Sequence, residues 1–504
     1  MVTMLDIGQE CEAGKISAVH SLVGQLPEEW GQAELDSLGG EALDLSRPHK
    51  LLYGSDFAYA LDDAIPIEQV GTHCLHSGAK GGLSNVWGAS VLPARSKDFM
   101  DWPITGEAMA PHYAAVARLL GLTGRHDELE GLYPFHTEPS APLMLSHQAN
   151  LILTRMRTHR ESLQRTGIHF GASRLAVRTL DTTGARGCQH VGMCLTGCPY
   201  MAIWNAGASL AALMEQKGFT YQGGVRVSAV EPFSGGVQIR GALAQVPSAV
   251  LGWEGKAVYL ACGPLSSSAI VLRSHPAPVT RLALQYQPYF MIPLIALENA
   301  QGVEQERLHT LAQLYLEIMD GRVARYPVHL QLYGYNDFIR ARFDRFLRRL
   351  GPLAGPLRRS LLGRLLAVQG YLDSAESGGI PVNIHRGPDG SFRRMVLRAP
   401  DPDRLLSRKI KRVVSLLAWH CRMTGVLPIR PMLRIGLPGE GNHIGGIFPM
   451  RKNPLEFETD LTGQMHGLPN VHLVDASILP RLPAASYTYT IMANAHRIGS
   501  MAAA

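Results

Sequence analysis

The stretch Asn453–Arg497 constrains this chain more than any other. Val471–Val474 is a short apolar run that ends in Asp475, the pattern of a buried strand delivering a carboxylate at its carboxyl end. Ala476 and Ser477 follow, and Pro480 and Pro483 then force an irregular turn. Thr488–Ile498 reads as a helix entering from that turn. A helix opening with its free amides aimed at a strand end is a seat for an anionic or carbonyl-rich cofactor. Upstream, His443 lies in GNHIGGIFPM, where glycines let the backbone pass close to a ligand.

Length and charge narrow the classes. A chain of 504 residues has ample material for a core and for two or three domains or one two-lobed enzyme. Its net charge of +6 is small for that size and its basic residues cluster locally, so nucleic acid is not implied. It has no run of 18 apolar residues, so no transmembrane helix is expected. Seven cysteines, an odd number, do not read as a disulfide framework, and a reducing cytoplasm is the default location.

The carboxyl-terminal pattern resembles the glucose–methanol–choline (GMC) flavin oxidoreductases. That family carries a histidine in an H-x-x-G-x-x-x-M-like segment, then a V-D-[AG]-S…P stretch, then a T-[IV]-M-A helix. His443, Gly446, Met450, Val474, Asp475, Ala476, Ser477, Pro480 and Thr490–Ala493 fill those slots in order. The resemblance implies an α/β fold: a Rossmann-like FAD-binding lobe, incomplete at its amino-terminal side, with an antiparallel-sheet substrate lobe. The implied division is 1–275 for the first part of the FAD lobe, 276–435 for the substrate lobe, and 436–504 for the return to the FAD lobe.

Other stretches extend the likeness. Met1–Gly8 reads as a buried strand ending in Asp6, where an acidic residue binds the adenosine ribose in dinucleotide folds. No G-x-G-x-x-G occurs in the chain, so the resemblance begins about one βα unit into the family's pattern. A start assigned too far downstream, a fragment, or a degenerate, partner-dependent homologue with little flavin binding would each account for that.

Gly81, Gly82, Ser84, Trp87 and Gly88 match the family's G-G-x-S-x-x-[NW]-G loop beside the flavin. Val86 stands where some members carry a histidine bonded to the flavin, which implies non-covalent FAD. Val227, in a strand over Thr220–Glu231, takes the adenine-bracketing position, and Lys256–Gly263 matches the strand that ends in Gly263. Cys188, Cys194 and Cys198, the last followed by proline, resemble part of a ferredoxin ligand run. An iron–sulfur cluster there and free thiols with a local structural role are both open.

Leu308–Met319 and Arg325–Tyr335 alternate like a hairpin, and Gly379–Val396 like a second; both are read as the sheet of the substrate lobe. Between them, Arg342–Leu372 reads as two amphipathic helices with basic faces, for contact with an anionic membrane or as a solvated face.

The expected activity is oxidation of an alcohol or sugar-like small molecule, with an external electron acceptor left unnamed. A histidine that titrates near neutrality suits the base, and His443 matches the family's catalytic histidine. The family's second residue, Asn or His, falls at Ser486, with Tyr487 one residue on; neither matches, so either hydroxyl is a candidate partner.

Overall fold

The computed structural model describes residues 1–31, 38, 50–59, 65–183, 185–336, 340, 361–401 and 403–503. Its largest layer is a seven-stranded antiparallel sheet. Tyr289–Ala296, Leu365–Leu372, Val328–Tyr333, Leu314–Ile318 and Ile168–Ala172 run side by side, and Val426–Pro428 and Arg434–Ile435 pair with the far edge of Tyr289–Ala296.

Side chains alternate across these strands. Leu314, Leu316 and Ile318, Val328, Leu330 and Leu332, and Phe290, Ile292 and Leu294 face one way into a single apolar cluster. Two helices cover that face. Arg404–Trp419 presents Ile410, Val413, Val414 and Leu417 at helical spacing, and His147–Thr158 presents Ala149, Ile152, Leu153 and Met156. Both are capped: the Asp403 carboxylate accepts from the amides of Leu405 and Leu406, and the Ser146 hydroxyl from Ala149. Gly370 matters here because the Phe290 ring lies against it; an added Cβ would sit 2.1 Å from that ring.

A five-stranded sheet runs Ile67–Val70, Phe392–Arg398, Ile380–Arg386, Arg281–Tyr286, Ile444–Gly445. The two hairpins expected in one sheet therefore belong to different ones. Each alternates correctly, but alternation does not say which partner a free edge will find. Two parallel pairs, Val2–Leu5 with Phe219–Gln222 and Val258–Leu260 with Val471–Leu473, form the dinucleotide-fold part, beside a meander of Val225–Phe233, Gly236–Leu243 and Val246–Gly255.

Three local expectations change. The first strand pairs along one edge with Phe219–Gln222, and Val2 and Met4 are 61% and 38% exposed, so it is not buried. The strand expected over Thr220–Glu231 breaks at Gly223–Gly224, where Gly224 adopts a φ of 74°. Leu365–Leu372, read as part of a helix, is a central strand bonded on both edges, so pairing overrides its leucine-rich helical texture. Residues 341–360, which carry most of the expected basic helices, lie outside the described residues. Among the described residues no helix is long and apolar enough to cross a membrane.

Candidate active site

His443 precedes the short strand Ile444–Gly445, which pairs with Arg281–Tyr286. Just beyond that strand lies Gln287, which is 1% exposed. Its backbone amide donates to the His443 carbonyl at 3.1 Å, so the two segments stay together. Its side-chain amide nitrogen donates to the carbonyls of Pro483 and Ala485, the latter at 3.2 Å. Carbonyls only accept, so the Gln287 NH₂ is committed to them and its Oε1 must face His443 Nδ1, with which it makes a short contact. That fixes the tautomer: Nδ1 carries the proton and Nε2 the lone pair. Burial, reinforced by His329, pushes the His443 pKa down to about 4, so the imidazole is neutral at physiological pH. Nothing in the sequence around Gln287 signals this role.

The segment after His443 is stitched to the turn after Asp475. Gly446, Phe448 and Met450 amides each donate at 2.9 Å to the carbonyls of Ala476, Ser477 and Ile478. Asp475, 8% exposed, accepts from the hydroxyls of Ser267 at 2.5 Å and Ser477 at 2.6 Å and from the Ser477 amide at 2.9 Å. Burial raises its pKa and these bonds oppose the rise. The carboxylate thus clips the strand end to helix Pro264–Ser274. The Pro480–Pro483 turn is held by an ionic cluster that sequence did not reveal. The Arg481 guanidinium reaches Asp373 through a short contact and Asp98 at 3.6 Å, and Asp98 also pairs with Arg95 at 2.6 Å.

Ser486 is 5% exposed, in the approach to helix Thr488–Ala503. Tyr487 packs edge-on to His443 with ring centroids 5.2 Å apart, but its hydroxyl donates to the Ile444 carbonyl at 3.0 Å. Tyr487 therefore offers the site its ring rather than its phenol.

The expected cofactor residues lie at strand ends. Gly263, with φ 82°, turns from strand Val258–Leu260 into helix Pro264–Ser274, and an added Cβ there would meet nothing within 4 Å. Asp6, beyond Val2–Leu5, accepts from the Tyr221 hydroxyl at 3.1 Å, and burial raises its pKa. The Cys262 thiol, on the neighbouring pair, is held up by packing around it and then by Asp475 and Asp6, although part of its surface meets solvent. Three strand ends thus converge. Val227 lies partly buried in the meander behind them.

Gly81, at φ 85°, opens the turn Gly82–Asn85, where an added Cβ on Gly82 also meets open space. Ser84 donates to the Gly81 carbonyl at 2.5 Å and accepts from Ala206 at 3.0 Å. Asn85 and the Trp87 indole tie the loop to Asn205 and Trp204. A Cβ on Gly88 would lie 3.8 Å from the Tyr333 hydroxyl, so the loop ends against the seven-stranded sheet. An open turn at a helix amino terminus, unfilled space at two glycines and strand-end carboxylates suited to ribose or ribityl hydroxyls fit part of the cradle of an extended dinucleotide such as FAD, without the glycine-rich turn that seats its pyrophosphate.

The cysteine expectation is not supported as a cluster site. Cys188, Cys194, Cys198, His190 and His309 line one small cavity, but no group of three or more His, Cys, Asp or Glu among the described residues is arranged to hold a metal. Burial pushes the Cys188 thiol up to about 12 and raises Cys198. Cys194 instead accepts from the Thr310 amide at 3.4 Å. The buried Lys50 amine beside them donates to the Trp87 carbonyl, and its pKa is pushed down to about 8 by burial.

Residues 436–495 match the family model described as GMC oxidoreductase. No curated protein matches the chain by sequence. Among solved structures, pyridoxine 4-oxidase from Mesorbium loti superposes with a TM-score of 0.59 at 14% identity, over 99% of this chain and 94% of that one. An FAD-dependent oxidoreductase from Chaetomium thermophilum, solved with a bound fragment, gives 0.54 at 11% identity over 85% of this chain and 86% of that one. At such identities these structures share the fold.

Proposed function

We propose that this chain is a GMC-type flavoprotein oxidoreductase that oxidises the CH–OH group of a small alcohol, with His443 as the base, a reading supported by the family match over residues 436–495 and by the shared fold. The observation that carries this reading is the Gln287 lock, which leaves the lone pair of a neutral His443 on Nε2. When bound, FAD supplies the acceptor for the carbinol hydride. The strand ends at Asp6 and Gly263, the strand at Val227, the 81–88 loop and the Asp475–Ala476 turn would hold it, without a covalent bond because Val86 has no nucleophile. His443 Nε2 takes the hydroxyl proton as the hydride leaves, and the product is the carbonyl compound. We read residues 1–275 and 436–504 as the cofactor side and 276–435 as the substrate side, with strand Ile168–Ala172 crossing to the substrate sheet.

The test is anaerobic stopped-flow reduction of bound flavin by the best alcohol substrate. His443→Ala should slow reduction by about 10²–10⁴ while leaving flavin content unchanged. A rate within about threefold of the unmodified protein would remove His443 from catalysis.

A further inference from the structure

The polar face of the seven-stranded sheet is a buried row: Tyr289, Tyr371, His329 and Glu317 stand in register, and Tyr371 lies 5.1 Å from the His443 ring. The helix over the opposite face and the segment along the sheet edge differ sharply from it. From Arg404 to Leu437 the chain holds eight Lys and Arg and no Asp or Glu. With a net charge of +6 for the whole chain, everything outside that stretch sums to −2.

Helix Arg404–Trp419 turns Ile410, Val413, Val414 and Leu417 into the core. Its other side carries Arg404, Arg408, Lys411, Arg412 and Trp419, all exposed and all within about one third of the helix circumference. Lys409, on the flank, is taken up by Glu376 at 2.6 Å, and Arg412 donates to the Arg322 carbonyl at 3.1 Å. Among the described residues no carboxylate pairs with Arg404, Arg408 or Lys411.

The helix packs on Val426–Pro428, which with Arg434–Ile435 forms the edge beside Tyr289–Ala296. That edge segment exposes Leu427, Arg430, Met432 and Leu437. Trp419 is 83% exposed, Leu405 61% and Met432 56%. Large apolar side chains scattered singly over a surface are ordinary, but here they are interleaved with cations that lack carboxylate partners. A bilayer with anionic lipids suits both groups: cations meet the headgroups, and apolar side chains enter the acyl boundary.

We propose that this helix face and the adjoining sheet edge form a docking surface for an anionic lipid membrane. Trp419 and Met432 enter the interface, while Arg408, Lys411 and Arg430 meet the headgroups. An acidic protein would also match the cations. The exposed tryptophan at the end of the cationic stripe favours the bilayer, because tryptophan settles at headgroup level.

The experiment is co-sedimentation of the full chain with phosphatidylcholine vesicles containing about 30% phosphatidylserine, against vesicles of phosphatidylcholine alone, at about 0.1 M salt. Binding should be about tenfold or more stronger to the anionic vesicles. Arg408→Gln combined with Lys411→Gln should weaken it about tenfold or more, since each cation near such a surface is worth about fivefold. Trp419→Ala leaves the charge unchanged and should weaken binding about threefold or more. Lys217→Gln combined with Lys452→Gln removes the same charge at exposed positions outside the stretch and should change binding less than about twofold. Equal binding to the two vesicle types, no loss in the Arg408 and Lys411 double variant, or an equal loss in the Lys217 and Lys452 double variant would each overturn the proposal. A Trp419→Ala protein that binds anionic vesicles like the unmodified chain would leave only a surface for an acidic protein, and the membrane reading would fall.

Discussion

The carboxyl-terminal segment and the polar face of the seven-stranded sheet meet at His443 but are encoded in opposite ways. In the first, His443, Asp475 and Tyr487 follow one another along 45 residues, 443–487, and the backbone bonds from Gly446 to Ala476 and from Phe448 to Ser477 fold that stretch onto itself. In the second, Tyr289, Glu317, His329 and Tyr371 come from four separate strands and become neighbours only through register. A local arrangement can carry its chemistry in a motif. A register-built one depends on every strand pairing correctly, so damage to it should appear first as lost stability and only second as lost rate.

The largest expected effect follows from that contrast. Glu317→Leu leaves the buried His329 Nδ1–H without its acceptor and should cost about 3–5 kcal/mol in urea unfolding. Glu317→Gln retains an acceptor oxygen and should cost less than half as much. Equal costs for the two variants would mean that the pair's hydrogen bond is not what holds the row.

Gln287→Leu acts on the local arrangement instead. It releases the His443 tautomer and the Pro483 and Ala485 carbonyls together, and flavin reduction should slow by about 10²-fold. Stability should fall less than for Glu317→Leu. A Gln287→Leu protein that reduces its flavin at the unmodified rate would show that the lock has no bearing on the base.

The smallest expected effect is an absence of change with pH. A histidine at its usual pKa near 6.5 would lose its base form as pH falls through that value. With the His443 pKa pushed down to about 4, the neutral form persists, and flavin reduction should vary less than about twofold between pH 5.5 and 8. A limb centred near 6.5 would mean that the imidazole is more solvated than its packing implies.

Several elements were legible in the residues themselves. Helix Arg404–Trp419 has its apolar positions at helical spacing behind an Asp cap, and the pair Leu314–Ile318 and Val328–Tyr333 alternates on both strands. That alternation also held an unused signal: Glu317, His329 and Gln331 recur at every second position, although the opposite positions are core leucines, isoleucine and valine. Polar residues at such positions in strands with both edges paired mark a buried polar face rather than a solvent face.

By itself the sequence determined the order of the carboxyl-terminal motifs, the histidine they frame and the glycine turns at 81 and 263, because short-range backbone geometry and helix or strand period are written in neighbouring residues. Tertiary structure alone decided that Leu365–Leu372 is a central strand, that the two hairpins join different sheets, that Gln287 orients His443, and that Tyr371 from the seven-stranded sheet packs against its ring. The physical reason is that a strand's edges bond to whatever backbone is brought alongside them. The identity of that partner is set by packing of the whole chain and leaves no trace in the residues of either strand.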